Sequence, residues 1–315
     1  MAKSILQTSP PVVPLSHFQL SSGRHISYAL YGSPAGLPVL FFHGFPGSRL
    51  EGAIWHEHAL KNNVRLIVPD RPGTGFSSFH PRREIVDWPA DVTELLSHLQ
   101  ISSVHALGTA GGSAYLLACL RGLPKRRIRG AAIVSGVFPF SLGGTEGIPF
   151  STRVAIFLAV WLTPLLAVLI DLLLGRPARN PDTAVFEKAF MRDINQRCET
   201  DRRCVSEDTD FRTKFVASVR ESLRASSWAF AWEARTLSSN WGFEIEELGL
   251  ESGKGSGNPK LVIWHGRWDS GNPVGLAEEA GKRIEAADLR VLDEGHLSLV
   301  ARHRDKILKE LVMYG

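Results

Sequence analysis

Cysteine, methionine and tyrosine are scarce in this 315-residue chain, with three, three and four copies. Three cysteines cannot form a disulfide framework for a chain of this size. Cys119, Cys198 and Cys204 suit a reducing compartment, although Cys198 and Cys204 could pair if oxidised. No histidine cluster at ligand spacing accompanies them, so no metal site is expected. Dense positive charge is also missing. Beyond Lys125-Arg126-Arg127 there is no basic run, and a net charge of +4 carries no signature of nucleic-acid binding. Residues 1–14 are polar and proline-containing and lack the apolar core of a signal peptide. They read as a loose arm on an intracellular, cytoplasmic protein. No apolar stretch is both long and unbroken. Residues 154–174 come nearest, but Thr163-Pro164 and Asp171 interrupt them. A bilayer crossing there would put the flanking strands on opposite sides of a membrane. The stretch therefore reads as two apolar helices broken at Pro164 and packed over a pocket, with a peripheral membrane contact left open.

What is present is ordinary for a globular protein: 44% hydrophobic and 22% charged residues. The length fits one large α/β domain carrying an insertion. His17-Phe18-Gln19-Leu20 and His25-Ile26-Ser27-Tyr28-Ala29-Leu30 predict an opening hairpin turned at Ser22-Gly23. Residues 38–42 are continuously apolar and predict a strand covered on both faces; 64–69, 103–107 and 128–134 read as further strands, with a helix over 88–99. From about 140 to 250 helical patterns dominate, including 183–198 and 208–224. A glycine-rich linker at 251–257 leads back to strands at 261–264 and 289–292, each followed by a helix. Strands alternating with helices argue for a largely parallel sheet.

The most informative absence is one hydroxyl. Gly108-Thr109-Ala110-Gly111-Gly112, between a strand and a helix, has every part of a G-x-S-x-G nucleophile turn except the serine. The surrounding pieces are in place. His43-Gly44-Phe45-Pro46-Gly47 follows one strand, and the N–H groups of Phe45 and Gly111 could together form an oxyanion hole. His265-Gly266-Arg267-Trp268-Asp269 follows another strand, and Glu294-Gly295-His296-Leu297-Ser298-Leu299 a third. In that order Asp269 would orient His296, which would serve as general base and then general acid. Alone, such an aspartate is a helix cap and such a histidine structural; together with the turn they read as a triad without its nucleophile. Glu294 is assigned to a supporting or surface position. Thr109 is expected to point along its strand and Ser113 to make a local hydrogen bond, so neither replaces the missing serine.

These motifs resemble the α/β-hydrolase superfamily, and within it a capped serine-hydrolase subgroup. The resemblance is carried by His43-Gly44-Phe45-Pro46-Gly47-Ser48-Arg49, Asp70-Arg71-Pro72-Gly73 and Gly295-His296-Leu297-Ser298-Leu299, and runs from about Phe18 to the C-terminus. It implies an α/β-hydrolase fold: a mostly parallel central sheet flanked by helices, with residues 1–139 and 257–315 forming the core and 140–256 a helical cap. The turn residue of that family is usually serine, sometimes aspartate or cysteine, and Ala110 departs from all three. Two explanations stand: an introduced Ser→Ala replacement, favoured because every other catalytic part is intact, and a naturally non-catalytic binding protein or receptor. The expected substrate is a small hydrophobic ester or lactone, handled without metal or organic cofactor. Phe138, Trp161, Trp228 and Trp232 are expected to line its pocket.

Overall fold

The computed structural model describes residues 15–144, 146–248, 250, 259–285 and 287–313. Eight strands form one sheet: β1 (Ser16–Gln19), β2 (His25–Gly32), β3 (Leu37–Phe42), β4 (Val64–Pro69), β5 (Val104–Thr109), β6 (Ile128–Val134), β7 (Lys260–Gly266) and β8 (Ala287–Leu292). Their spatial order is β1-β2-β4-β3-β5-β6-β7-β8. β1 and β2 form the expected antiparallel hairpin and β2 runs antiparallel to β4. All later pairings are parallel. This is the mostly parallel, helix-flanked sheet that the sequence predicts.

The apolar runs are continuous because both faces of the sheet are covered. Leu40, Phe42 and Ala106 face a cluster that includes Trp88 and Val92 of α2 (Trp88–His98) and Tyr115 and Leu116 of α3 (Gly112–Gly122). Val39, Phe41 and Leu107 face the other way, with Trp55 of α1 (Gly52–Lys61) and Leu299 and Ile307 of α12 (His296–Met313). Parallel register aligns the strand ends: Phe42 lies beside Gly108, Thr109 beside Val134, and Gly266 beside Leu292. The loops after β3, β5, β7 and β8 therefore open on one edge of the sheet, where α/β proteins place their sites.

Between β6 and β7 the described residues contain no strand. The chain runs instead through α4 (Phe150–Trp161), α5 (Thr163–Ile170), α6 (Arg176–Arg179), α7 (Thr183–Ile194), α8 (Glu199–Glu207), α9 (Thr209–Ser222) and α10 (Ser227–Ser238), and α11 (Val274–Arg283) follows β7. The apolar 154–174 stretch breaks at Leu162 (φ −133°, ψ 44°), and Pro164 occupies the first turn of α5, where its missing N–H costs no helical bond. The break thus precedes the proline rather than falling on it, and a π-type segment (Asp171–Gly175) continues the run. Among the described residues no helix is long and apolar enough to cross a membrane. The expected linker at 251–257, the domain boundary at 256–257 and the arm at 1–14 lie outside the described residues.

Candidate active site

The turn after β5 adopts the backbone of a nucleophile elbow. Ala110 has φ +43°, a left-handed conformation that a residue with a β-carbon rarely adopts. Small neighbours make the turn possible: a β-carbon on Gly112 would meet the Phe42 carbonyl oxygen at 2.1 Å, and one on Gly108 would meet the Gly112 oxygen at 3.0 Å. Ala110 N–H donates to the Val134 carbonyl (3.0 Å), while the Ala110 carbonyl accepts from Val137 N–H (3.1 Å) and the Ser113 hydroxyl (2.7 Å). The Ser113 hydroxyl also lies 2.6 Å from the Val137 carbonyl, so it is committed to the turn.

Asp269 and His296 are brought together. His296 Nδ1 lies 2.7 Å from Asp269 Oδ2, and Asp269 Oδ1 accepts the N–H groups of Gly271 and Asn272, both at 2.9 Å. The side chain of Asp269 is fully buried. Burial alone would lower the basicity of the His296 imidazole, but the charge and hydrogen bond of Asp269 override it and raise the pKa. Burial likewise pushes Asp269 up, and His296 pulls it below the ordinary carboxylate value. Each group favours the charged form of the other, as an orienting acid and its general base require. Glu294 takes no part; it pairs with Arg302 and His303 of α12.

The oxyanion-hole candidates also converge: a β-carbon on Gly111 would sit 3.5 Å from Phe45 N. Neither Phe45 N–H nor Gly111 N–H has a protein acceptor among the described residues. Behind them lies Glu51, which no local motif marks. Its carboxylate accepts Gly44 N–H (2.7 Å) and the Thr109 hydroxyl (2.6 Å). Thr109 is expected to point along its strand; instead its hydroxyl is held by Glu51, at the wall of a cavity of about 40 Å³ that Ala110, Glu51 and His296 also line. Burial raises the Glu51 pKa against the pull of these two donors.

Two further groups escape sequence reasoning. Asp201 of α8 is fully buried and accepts the N–H groups of His296 (3.0 Å), Leu297 (2.8 Å) and Ser298 (2.9 Å), the first turn of α12. A carboxylate there satisfies orphan donors and complements the helix dipole. Glu233 of α10 pairs with Arg71 and Arg83 and accepts from Tyr115. Arg71 then donates to the carbonyls of His43 (2.5 Å) and Gly44 (2.9 Å), holding the loop that carries Phe45. Both acids come from the helical excursion between β6 and β7, so those helices position parts of the site.

A second, larger cavity of about 230 Å³ lies beneath α4, α5 and α10, and no ionisable side chain lines it among the described residues. Phe138 lines it as expected. Trp161, Trp228 and Trp232 do not: Trp161 is 72% exposed, and Trp228 and Trp232 pack on each other at the surface side of α10. Phe45 alone lines both cavities, its ring 4.6 Å from that of Phe230.

Known proteins resemble this chain over most of its length. The model of the "Alpha/beta hydrolase family" matches residues 39–310. A probable proline iminopeptidase of Leptolyngbya boryana is 32% identical over 42% of this chain and 42% of that protein. A proline iminopeptidase of Xylella fastidiosa is 24% identical over 95% of this chain and 96% of its own length. Among solved structures, a thermophilic esterase from Thermogutta terrifontis superposes with a TM-score of 0.66 at 18% identity, covering 95% of this chain and 98% of the esterase.

Proposed function

We propose that this chain, which belongs to the α/β-hydrolase family, accommodates a small hydrophobic ester or lactone beneath a helical cap, in a form that lacks the attacking atom. The single observation that carries this is the assembled His296–Asp269 pair, 2.7 Å apart, beside an elbow whose apex is a methyl group. In a serine form the hydroxyl at 110 would attack the carbonyl as His296 takes its proton, with Phe45 and Gly111 N–H groups stabilising the oxyanion. Water activated by His296 would then release the acyl group. As the chain stands, only direct water attack is open to it, and the 40 Å³ cavity is large enough for a water. Serine proteases stripped of a triad member retain roughly 10³–10⁴-fold acceleration over water. An ester or lactone is favoured over a peptide because the larger cavity offers no carboxylate to pair with a charged amino terminus.

A binding protein on the same fold is the alternative, supported by the separation of the apolar cavity from the His296 cavity by Phe45. Ala110→Ser distinguishes the two. If the variant hydrolyses short acyl aryl esters and labels with a fluorophosphonate, the hydrolase reading stands. A folded variant that binds such esters but neither turns over nor labels makes the chain a ligand-binding protein.

A further inference from the structure

The outer surface of the α4–α5 hairpin is apolar where a soluble protein is normally polar. Phe150, Val154, Phe157 and Trp161 recur at helical spacing along α4, Leu165 and Val168 along α5, and all are exposed, Phe150 at 81% and Trp161 at 72%. Single exposed apolar residues need no explanation; a contiguous stripe of this size marks an interaction surface. The opposite face of the same helices, including Ile156, Ala159 and Leu166, lines the 230 Å³ cavity, so the inner face cannot account for the outer one.

Two observations identify what covers it. From Val154 to Ile170 only Trp161, through its indole N–H, and Thr163 carry side chains able to hydrogen-bond, and the buried Thr163 hydroxyl donates to the Ala159 carbonyl (2.6 Å). Between Val154 and Ile170 a protein partner, including a second copy of this chain, would find one accessible side-chain donor, the Trp161 indole N–H, whereas interfaces carry about one hydrogen bond per 100–200 Å². Acyl chains demand none, and an indole with one apolar and one polar end equally suits a membrane interface. Charge points the same way. No acidic residue lies between Glu146 and Asp171, Arg153 is exposed within the stripe's first helix, and at the far end Arg176 and Arg179 outnumber Asp171, with which both pair. Helices of 12 and 8 residues broken at Leu162 are too short to span a bilayer but can lie in its interface. We propose that the outer face of α4 and α5 docks this protein on an anionic membrane surface, with Phe157 and Trp161 set among the acyl chains and the arginines at headgroup level. This holds whatever ligand the internal cavity takes.

The test is flotation of the full chain with phosphatidylcholine vesicles and with vesicles of phosphatidylcholine mixed with phosphatidylserine. The chain should float with the mixed vesicles, less so at high salt, and the double substitution Phe157→Glu, Trp161→Glu should reduce flotation at least about tenfold. Because both residues are exposed, the variant's melting temperature should match the parent's; if it does not, quenching of tryptophan fluorescence by brominated acyl chains, compared between the parent and Trp161→Phe, decides the matter in the same way. Failure of the parent to float with either vesicle, or equal flotation of parent and variant, overturns the proposal. So does a parent dimer that the double substitution splits, with no vesicle binding by either.

Discussion

Asp201→Ala should destabilise the protein far more than its position on a helix remote in sequence from the site suggests. The carboxylate is fully buried and accepts three N–H groups that open α12, at 2.8, 2.9 and 3.0 Å. Replacing a capping side chain by alanine costs about 0.5–2 kcal/mol in general. Here the acceptor is charged and the donors are buried, so each orphaned N–H adds a desolvation penalty of about 1–3 kcal/mol. These contributions overlap, because one water could rescue part of the loss, and a net cost of about 3–5 kcal/mol is expected. At 1.4 kcal/mol per decade, that is roughly a hundredfold or more in the folding constant. Urea unfolding reads it as a lower midpoint at unchanged slope. Glu207→Ala supplies the control: its pairing with Arg203 is exposed, and such solvent-screened pairs contribute little to stability. In an Ala110→Ser background Asp201→Ala should also lower kcat with little change in KM, since Asp201 acts through the placement of His296. A stability loss below about 1 kcal/mol, no larger than the control's, would refute the assigned role.

Two further predictions concern pH. His296 has a raised pKa, so its contribution to stability is complete below its ordinary value of 6.5 and is lost as pH rises through the folded value. Asp269 has a depressed pKa, so its contribution is complete above 3.8 and is lost as pH falls through the folded value. The stability difference between the parent and His296→Ala should therefore peak between about pH 4 and 6.5 and shrink on either side; a flat difference in denaturation midpoints would show that the two are not paired in solution. Glu51, raised by burial, contributes stability that is fully present below about pH 4.5 and is lost as pH rises through its folded value. Glu51→Gln, whose amide can accept from Gly44 and donate to Thr109, should exceed the parent in midpoint at pH 7 and lose that advantage in acid.

The centre of the sheet was legible because strands such as β3 are buried on both faces and read as largely apolar runs. The loops that carry Phe45, Gly111, Asp269 and His296 were legible because each follows a strand-like segment, although the one before His296 is only half-buried. Asp201, Glu51 and Glu233 were not. Their partners lie 95, 58 and 162 residues away, and nothing local distinguishes a buried acid from a solvated one. The misplaced Trp161 has a different cause. The α4–α5 stretch is apolar all round, and a helix without a polar face gives the hydrophobic pattern no phase. Sequence alone therefore could not tell Ile156, which lines the cavity, from Trp161, which faces outward.

That Ala110 keeps φ +43° without a hydroxyl to present has its own cause. Left-handed backbone at a residue with a β-carbon costs roughly 1–3 kcal/mol and persists only where the surroundings over-determine it. Here they do. The Ala110 N–H is held by Val134, its carbonyl by Val137 and Ser113, and the close approach of Gly112 to Phe42 leaves the turn no wider path. None of these contacts involves the side chain at 110. The hydroxyl can therefore be absent while the strain, the two inward N–H groups and the His296–Asp269 pair all remain. A restored serine would find its backbone already in place, so Ala110→Ser measures the chemistry of one oxygen with little contribution from refolding of the turn.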